Sequence, residues 1–572
     1  MINKRLRTTL TILLALFVGG MAWGQASSDA YRNSQSELNG TARAQALSGA
    51  IGAVGADASA VGINPSGVAL YSNNAFSATF EAGRGIVNSV WRNAKDAFTT
   101  NDKWALGTVN NISSVATLLP RSSGLPFNVN FGFSYNRDYD YKRSYGLINS
   151  NPKFGLTDYM AFEASRIAAP FDSKTITPIV DLGLAARYIE AFTDNAKGVP
   201  QGKEFRYRTL FSATEIGHRP DEGKYVLFTP AASNLQVQES GYRNSYDLSL
   251  GAGYADMVYF GATLNIGSQS TSRVATYHED FYNKYNNQDF KSNLTYETGL
   301  VTAGSSIGLN LGVLAAISDY GRVGISYLLP QYATYNEKYW ASASSYNDAY
   351  RRNEYKDYKT GELESSYSAL LPGRLNLSAM AFLGPYGFIT YDYQYRNLGS
   401  AKLYNPKSMV ELSESSFIKE DFGAEHTHRV GLEVRPVKKL SVRAGYSYTG
   451  NPMKAEQFRE EPEMGLTYHY VPSGYITDFV LPRSYQTASA GLGYFITDRT
   501  SIDVAYVYGW RSEQVYPFSG SSAKDMVVSE GYLDENRQFV PKEERRDVHM
   551  EVIGGQLKTD KHKFVATLSL RF

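Results

Sequence analysis

Beyond Asn73 the chain alternates apolar and polar residues with a period of two, and its connections come in two unlike kinds. Across 127–136, Phe127, Val129, Phe131, Phe133 and Tyr135 fall on one strand face and Asn128, Asn130, Gly132, Ser134 and Asn136 on the other. Across 564–572, Phe564, Ala566, Leu568, Leu570 and Phe572 oppose Val565, Thr567, Ser569 and Arg571. Soluble sandwiches and membrane barrels both alternate in this way, so the connections must separate them. Strand pairs 246–252 with 258–266, 303–317 with 323–329, 375–383 with 388–395, 430–434 with 440–448, and 486–495 with 502–510 are each joined by a tight turn. The turns centre on Ala255-Asp256, Asp319-Tyr320-Gly321, Gly384-Pro385-Tyr386-Gly387, Arg435-Pro436-Val437-Lys438 and Thr497-Asp498-Arg499. Between pairs the chain runs long and polar, over 341–364, 399–424, 450–480 and 513–560. Short turns at one end and long loops at the other are the mark of an outer-membrane barrel.

Strands at 75–82, 103–118, 127–136 and 564–572 bring the count to fourteen. The fold expected is therefore all-β: a 14-stranded antiparallel transmembrane β-barrel with a small N-terminal helical hatch in its lumen. An even count returns both chain ends to the short-turn, periplasmic side. The terminal Phe572, with apolar residues alternating behind it, is similar to the signal read by the barrel-assembly machinery, an expected partner during biogenesis.

Composition agrees. The 44 tyrosines and 5 tryptophans suit membrane interfaces, where an apolar ring meets a wet polar tip. Lys and Arg number 57 against 56 Asp and Glu, which gives no broad basic field and no nucleic-acid partner. With no cysteine there is no disulfide, no Cys-ligated metal and no lipid-anchored N-terminal cysteine. Lys4, Arg5 and Arg7, the apolar run 10–18 and Ala22-Trp23-Gly24 predict a secretory signal peptide over 1–24, cleaved before Gln25. That run falls short of the about 20 apolar residues a membrane helix needs, and no later segment reaches that length. The division expected is signal peptide 1–24, hatch 25–73 and barrel 74–572, with 138–244 as the longest connection and the Gram-negative outer membrane as the location.

The block 38–71, LNGTARAQALSGAIGAVGADASAVGINPSGVALY, departs from strand character. Its small residues suit the inside of a lumen. Asp57 can cap the run 58–63, Pro65 stops it, and Gly67 permits a tight turn. On the strands, Asp247, Thr263, Asn265, Asp392, Gln394, Arg396, Arg429, Glu433, Arg443 and Asp503 fall opposite the lipid-facing sets, which implies a wet or charge-paired lumen. Within 138–244, Leu182, Ala185, Ala186, Ile189 and Phe192 recur at helical spacing, and Leu156, Met160 and Ile167 suggest a second amphipathic piece. These stripes either pack over the barrel mouth or form an apolar capture face, with Leu182, Ala186, Ile189 and Phe192 as its residues. His426 and His428 share a strand face and are the one histidine pair with ligand-like spacing, for a metal or haem. No nucleophile elbow, phosphate loop, HExxH or dinucleotide fingerprint occurs, so an enzyme is not expected.

Asp57-Ala58-Ser59 followed by Asn64-Pro65-Ser66-Gly67 resembles the D-A-S…N-P-A-G hatch motif of the FadL/TodX family, with Ser66 in place of the usual Ala. That family comprises outer-membrane transporters for long-chain fatty acids and other hydrophobic compounds, and the style of this block looks like its Bacteroidetes-type branch. The resemblance implies passive uptake of a hydrophobic ligand without a cofactor, by a monomer bathed in outer-membrane lipid. It assigns the hatch role to Asp57, Ser59, Asn64, Pro65, Ser66 and Gly67. It also implies a third-strand kink that opens a lateral exit, for which Gly132 is the candidate here; Gly132 could equally make room for plug atoms. Two alternatives stay open: haem uptake, and a barrel whose long loops bind a surface protein or a secretion apparatus.

Overall fold

The computed structural model describes residues 27–572 apart from 92–98, 121–124, 151, 168–177, 192–206, 210–228, 286–287, 348–353, 455–458, 462–465, 469–473, 534–538, 551 and 553. The expected signal segment 1–24 lies outside the described residues. Fourteen strands close into one antiparallel barrel. In chain order they are β1 Ala75–Trp91, β2 Thr99–Leu119, β3 Phe127–Asp140, β4 Thr229–Tyr254, β5 Val258–Tyr285, β6 Gln288–Ile317 and β7 Gly321–Leu328. The second half comprises β8 Arg374–Phe382, β9 Gly387–Asn397, β10 Ala424–Val437, β11 Leu440–Thr449, β12 Phe479–Phe495, β13 Thr500–Tyr516 and β14 Gly555–Arg571. Each strand pairs with the next, and β1 returns to β14, with Ala75 opposite Arg571 and Trp91 opposite Gly555. Closure leaves no unpaired edge for the bilayer to face.

The outer surface carries an apolar band, with Leu250, Leu264, Leu311, Ile325, Val430, Leu432 and Val504 all exposed. Tyr246, Tyr395, Tyr446 and Tyr448 stand exposed at its loop end, and Tyr254, Tyr320, Tyr386 and Tyr494 at its turn end. An apolar band between two aromatic girdles is the surface of a membrane-spanning barrel. All ten polar residues read as lumenal alternate inward. Eight of them, Asp247, Thr263, Asp392, Gln394, Arg396, Glu433, Arg443 and Asp503, are below 9% exposed.

The strands run longer than their sequence reading, for a definite reason. β5 and β6 span 28 and 30 residues, where crossing the hydrocarbon takes about 9–11. In β5, Phe260, Leu264 and Ile266 point outward, whereas higher up Ala275, Tyr277 and Phe281 are buried on the inward face. The apolar set changes phase near Gly267 while the strand continues. Likewise Arg143–Asn149 prolongs the wall beyond β3 and pairs with 233–239 of β4, so the connection expected over 138–244 is wall at both ends. Gln331–Asn347 and Leu363–Leu371 extend β7 and β8 in the same way.

Two helices, α3 Leu156–Ile167 and α4 Pro178–Ala185, fill the mouth of this extension; α1 Ser27–Ser34 and α2 Ala42–Ala46 belong to the N-terminal segment. Strands Arg459–Glu461, Leu466–Tyr468, Ser521–Leu533 and Phe539–Met550 from two of the loops form a separate four-stranded sheet.

The β4–β5 connection is the three residues 255–257, and its turn, closed by Met257 N donating to Tyr254 O at 3.0 Å, holds both Ala255 (φ 51°) and Asp256 (φ 53°) in the left-handed region, as a primed turn requires. Ala is poorly suited to that conformation, which costs a non-glycine residue about 1–2 kcal/mol. Ala255→Asn should therefore stabilise the barrel by about 0.5–1 kcal/mol, read as a higher urea midpoint with unchanged slope.

Candidate functional site

Residues 38–71 fold into a plug inside the turn-side half of the barrel. Thr41 caps α2, its Oγ1 accepting from Ala44 N at 3.1 Å. The same hydroxyl donates to Asp57 Oδ2 at 2.6 Å. Asp57 Oδ1 accepts from the backbone N and the hydroxyl of Ser59, at 3.1 and 2.7 Å. Ser59 Oγ in turn accepts from Thr41 N at 3.1 Å, so the three residues lock into a ring. Asn64 does the same for the second half. Its Oδ1 accepts from Ser66 N and Oγ at 3.2 and 2.6 Å, while its Nδ2 donates to Gly52 O at 3.1 Å. Pro65 opens the 3-10 turn Pro65–Leu70, where its missing N–H costs nothing. A Cβ on Gly67 would sit 3.1 Å from Gly55 Cα, so the plug's two arms meet back to back through glycine.

The wall is shaped to receive this plug. Cβ atoms built on Gly251, Gly445 and Gly491 would lie 2.7 Å from Ala69 N, 2.5 Å from Ser48 N and 2.6 Å from Ala46 Cβ. Gly261 and Gly312 face Pro65 and Asn64 just as closely. These glycines sit on the inward face near the tight turns, and their missing side chains are the plug's seat. Between them, wall amides donate to plug carbonyls: Asn128 to Ala69 O (2.8 Å), Asn130 to Val68 O (2.9 Å) and Tyr71 O (2.8 Å), Asn310 to Val61 O (3.1 Å), and Asn376 to Ile63 O (3.2 Å). Asp392 Oδ2 and Asn110 Oδ1 accept from Gly52 N and Gly40 N, both at 2.8 Å. One ion pair joins in: Arg43 to Glu433 at 3.4 Å, with Glu433 also held by Arg443 at 2.7 Å.

Above the plug, residues 27–37 form a strap across the lumen. Arg243 and Arg396 donate to backbone carbonyls at Asn33 and Ser34, and Arg32 pairs with Glu337 at 3.1 Å. Glu37 meets Lys561 and, at 3.5 Å, Lys563. Burial alone would raise the Glu37 carboxyl, but the two lysines outweigh it and hold it at about 2, so the strap end stays charged. Between strap and plug lies a polar cavity of about 210 Å³. Arg374, Arg396, Arg429, Asp247 and Glu425 are among the residues that line it.

The structure disperses the remaining sequence candidates. Leu182, Ala186 and Ile189 are at most 1% exposed and pack with Leu156, Met160, Tyr145, Leu235, Tyr277 and Tyr296 in the mouth cluster. Ala185 faces solvent, and Phe192 lies outside the described residues. The helical stripe does not continue to Ile189: Arg187 turns left-handed (φ 53°), ends α4, and Ile189–Ala191 becomes a short strand. Gly132 pairs in register with Val115 and with Ser249, and a Cβ there would meet Val68 methyls at 3.4 Å. The irregularities of β3 fall elsewhere, opposite 117–119 and between Arg137 and Tyr139. His426 and His428 point outward into the girdle, each Nδ1 paired at 2.8 Å with the hydroxyl of Tyr393 or Tyr391. Among the described residues no group of three or more His, Cys, Asp or Glu could hold a metal. The wall amides, the glycine seat and the strap had no signal that a single sequence could distinguish from ordinary lumenal polarity.

A scan of protein-family models and a search of curated proteins return no match. Among solved structures the chain is similar to a Pseudomonas aeruginosa FadL homologue, with TM-score 0.46 and 11% identity over 94% of this chain and 100% of that one. It is also similar to the Pseudomonas putida toluene transporter TodX, with TM-score 0.43 and 11% identity over 94% and 99%. The Ralstonia pickettii toluene transporter TbuX gives TM-score 0.39 and 12% identity over 94% and 99%. The barrel itself is established by its strand ladder.

Hydrogen bonds to a charged group contribute about 1.5–3 kcal/mol each. Asp57→Ala should lower the local stability of the plug by about 3 kcal/mol and leave the barrel folded. Amide exchange across 38–71 should then accelerate about 100-fold while β5 and β6 keep their protection.

Proposed function

We propose that this chain is a monomeric outer-membrane barrel for passive uptake of hydrophobic small molecules, long-chain fatty acids or similar compounds, with residues 38–71 as its gate. A molecule taken up at the mouth passes into the lumen, the hatch rearranges, and the molecule leaves sideways between strands. The observation that carries the reading is how the plug is held. Its polar links to the wall are single side-chain hydrogen bonds and an ion pair, beside small apolar contacts such as Leu47 and Ile51 with Met380 and Phe388, and among the described residues no strand pairing joins plug to barrel. Bonds of this kind contribute about 0.5–1.5 kcal/mol each net and exchange readily with water, whereas the wall is a continuous ladder. The plug can therefore shift without the barrel opening.

Asp57, Ser59, Asn64, Pro65, Ser66 and Gly67 are the hatch residues in this proposal. The lateral exit is placed beside Gly132, where Val68 of the plug leans on β3 and the β2–β3 register slips close by, between Thr117 and Leu119. A second reading, a surface that docks a protein partner, draws support from the loop sheet, whose outer strands Arg459–Glu461 and Phe539–Met550 pair on one side only among the described residues. A stable partner recovered from intact cells, with no uptake phenotype, would favour it. Haem capture is not carried further, because both candidate imidazoles face outward and pair with tyrosines.

The chain has no cysteine, so a disulfide can pin the hatch cleanly. Ser48 and Ser489 place their hydroxyls 2.7 Å apart across the plug–wall boundary. In the Ser48→Cys, Ser489→Cys double variant, oxidation should reduce uptake of a labelled fatty acid or aromatic hydrocarbon at least tenfold, and dithiothreitol should restore it. Equal transport by the oxidised barrel would rule out a moving hatch.

A further inference from the structure

The outward face of the wall changes character along one seam. On β14 and β1 it is apolar through Ala566, Phe564, Phe80 and Ala82, and the positions that follow toward the loop end carry charge: Arg84, Lys103 on β2 and Lys558 are all exposed. The register gathers them. Arg84 stands directly opposite His562 of β14 and Ala105 of β2, which makes Lys103 its diagonal neighbour, and Lys558 lies on the same face of β14 opposite Asn88. None of the three cations makes a hydrogen bond or an ion pair with another described residue. The acid that shares this face, Asp560, accepts from the Tyr508 hydroxyl at 2.6 Å. Cations gathered so closely repel one another until an anion lies among them. On β5 and β6 the comparable stretch, past Ile266 and Ile307, is uncharged and reads Ser268, Ser270, Ala303 and Ser305.

The height of the patch says what the anion belongs to. β1 begins at Ala75 at the turn end, and Arg84 lies nine residues on. At about 3.3 Å per residue that is about 30 Å along the strand, and at a tilt of about 40° it is roughly 23 Å of height. The apolar band of a membrane barrel is about 25 Å tall, so Arg84 stands at its loop-side edge, where lipid headgroups begin. Beside the patch on β13, Tyr508 and Trp510 stack at 5.2 Å, and the His562 ring lies 5.0 Å from Tyr508. Such rings sit well at that depth, apolar below and polar above.

We propose that the seam of β13, β14, β1 and β2 is a docking surface for the phosphorylated headgroup of a membrane lipid, with Arg84, Lys103 and Lys558 meeting the phosphate and Phe80 and Phe564 lying along the acyl chains. Continuity with the lipid-facing band carries the assignment. A lipid that covers Phe80 and Phe564 must set its head at the height of Arg84, and a phosphate there finds three cations and charge-assisted bonds in place of serines. The surface rests on the barrel's place in a membrane and is independent of transport.

Full-length protein in detergent micelles doped with diphosphoryl lipid A, or with monogalactosyldiacylglycerol as the neutral glycolipid, would be released into a native mass spectrometer and the lipid-bound fraction measured. Lipid A should be retained in clear excess over the neutral lipid. Arg84→Gln with Lys103→Gln should weaken its retention by about tenfold, and Arg84→Lys, which keeps the charge, should preserve most of it. Lys438→Gln with Lys439→Gln removes the same charge at the β10–β11 turn, at the other end of the barrel, and should change nothing. Equal retention of the two lipids by the wild type overturns the surface, as does an equal loss from the turn variant. Should the Arg84 and Lys103 variant fail to fold, the wild type decides: lipid A must raise its melting temperature above that with the neutral lipid, and molar sodium chloride must remove the difference. No difference, or one that survives the salt, overturns the surface as well.

Discussion

The pairing of β1 with β14 is the constraint on which everything else depends. Hydrocarbon offers no partner for a backbone N–H or C=O, so a membrane sheet must find every partner within itself. Once the first and last strands meet, fourteen strands enclose a lumen wider than their own inward side chains fill. The N-terminal segment supplies the missing atoms. It can do so because the wall omits side chains at Gly251, Gly261, Gly312, Gly445 and Gly491, where plug backbone comes within contact of the strands.

Two kinds of cohesion result. The wall is a cooperative ladder whose bonds cannot be traded for water without exposing their neighbours to lipid. Plug and strap are held by amides, hydroxyls, a few charges and small apolar contacts, without a backbone ladder to the wall strands. Barrel and plug therefore differ in stability, and a disturbance at Asp57 or Asn64 stays within the lumen.

The membrane-spanning part of the fold was legible because lipid forces apolar residues outward in strict alternation. All fourteen strands and the five tight turns could be read that way. Their upper ends could not, because above the girdle the solvent changes: water now lies outside, and the apolar residues turn inward to meet α3 and α4. Tyr277 and Phe281 lie on the opposite face of β5 from Phe260 and Leu264, so a reader following the apolar set loses the strand near Gly267. The bond from Ser59 N to Asp57 followed from capping chemistry, whereas those of Asn64 carried no such signal.

The change of phase in β5 also sets how high the opening stands. From Gly267 to Tyr285 the strand runs on for some 18 residues, which at about 3.3 Å each amounts to roughly 60 Å of wall measured along the strand. The barrel is thus a chimney whose rim clears the headgroup layer. Its opening therefore faces the surrounding medium rather than the apolar band that encircles its base.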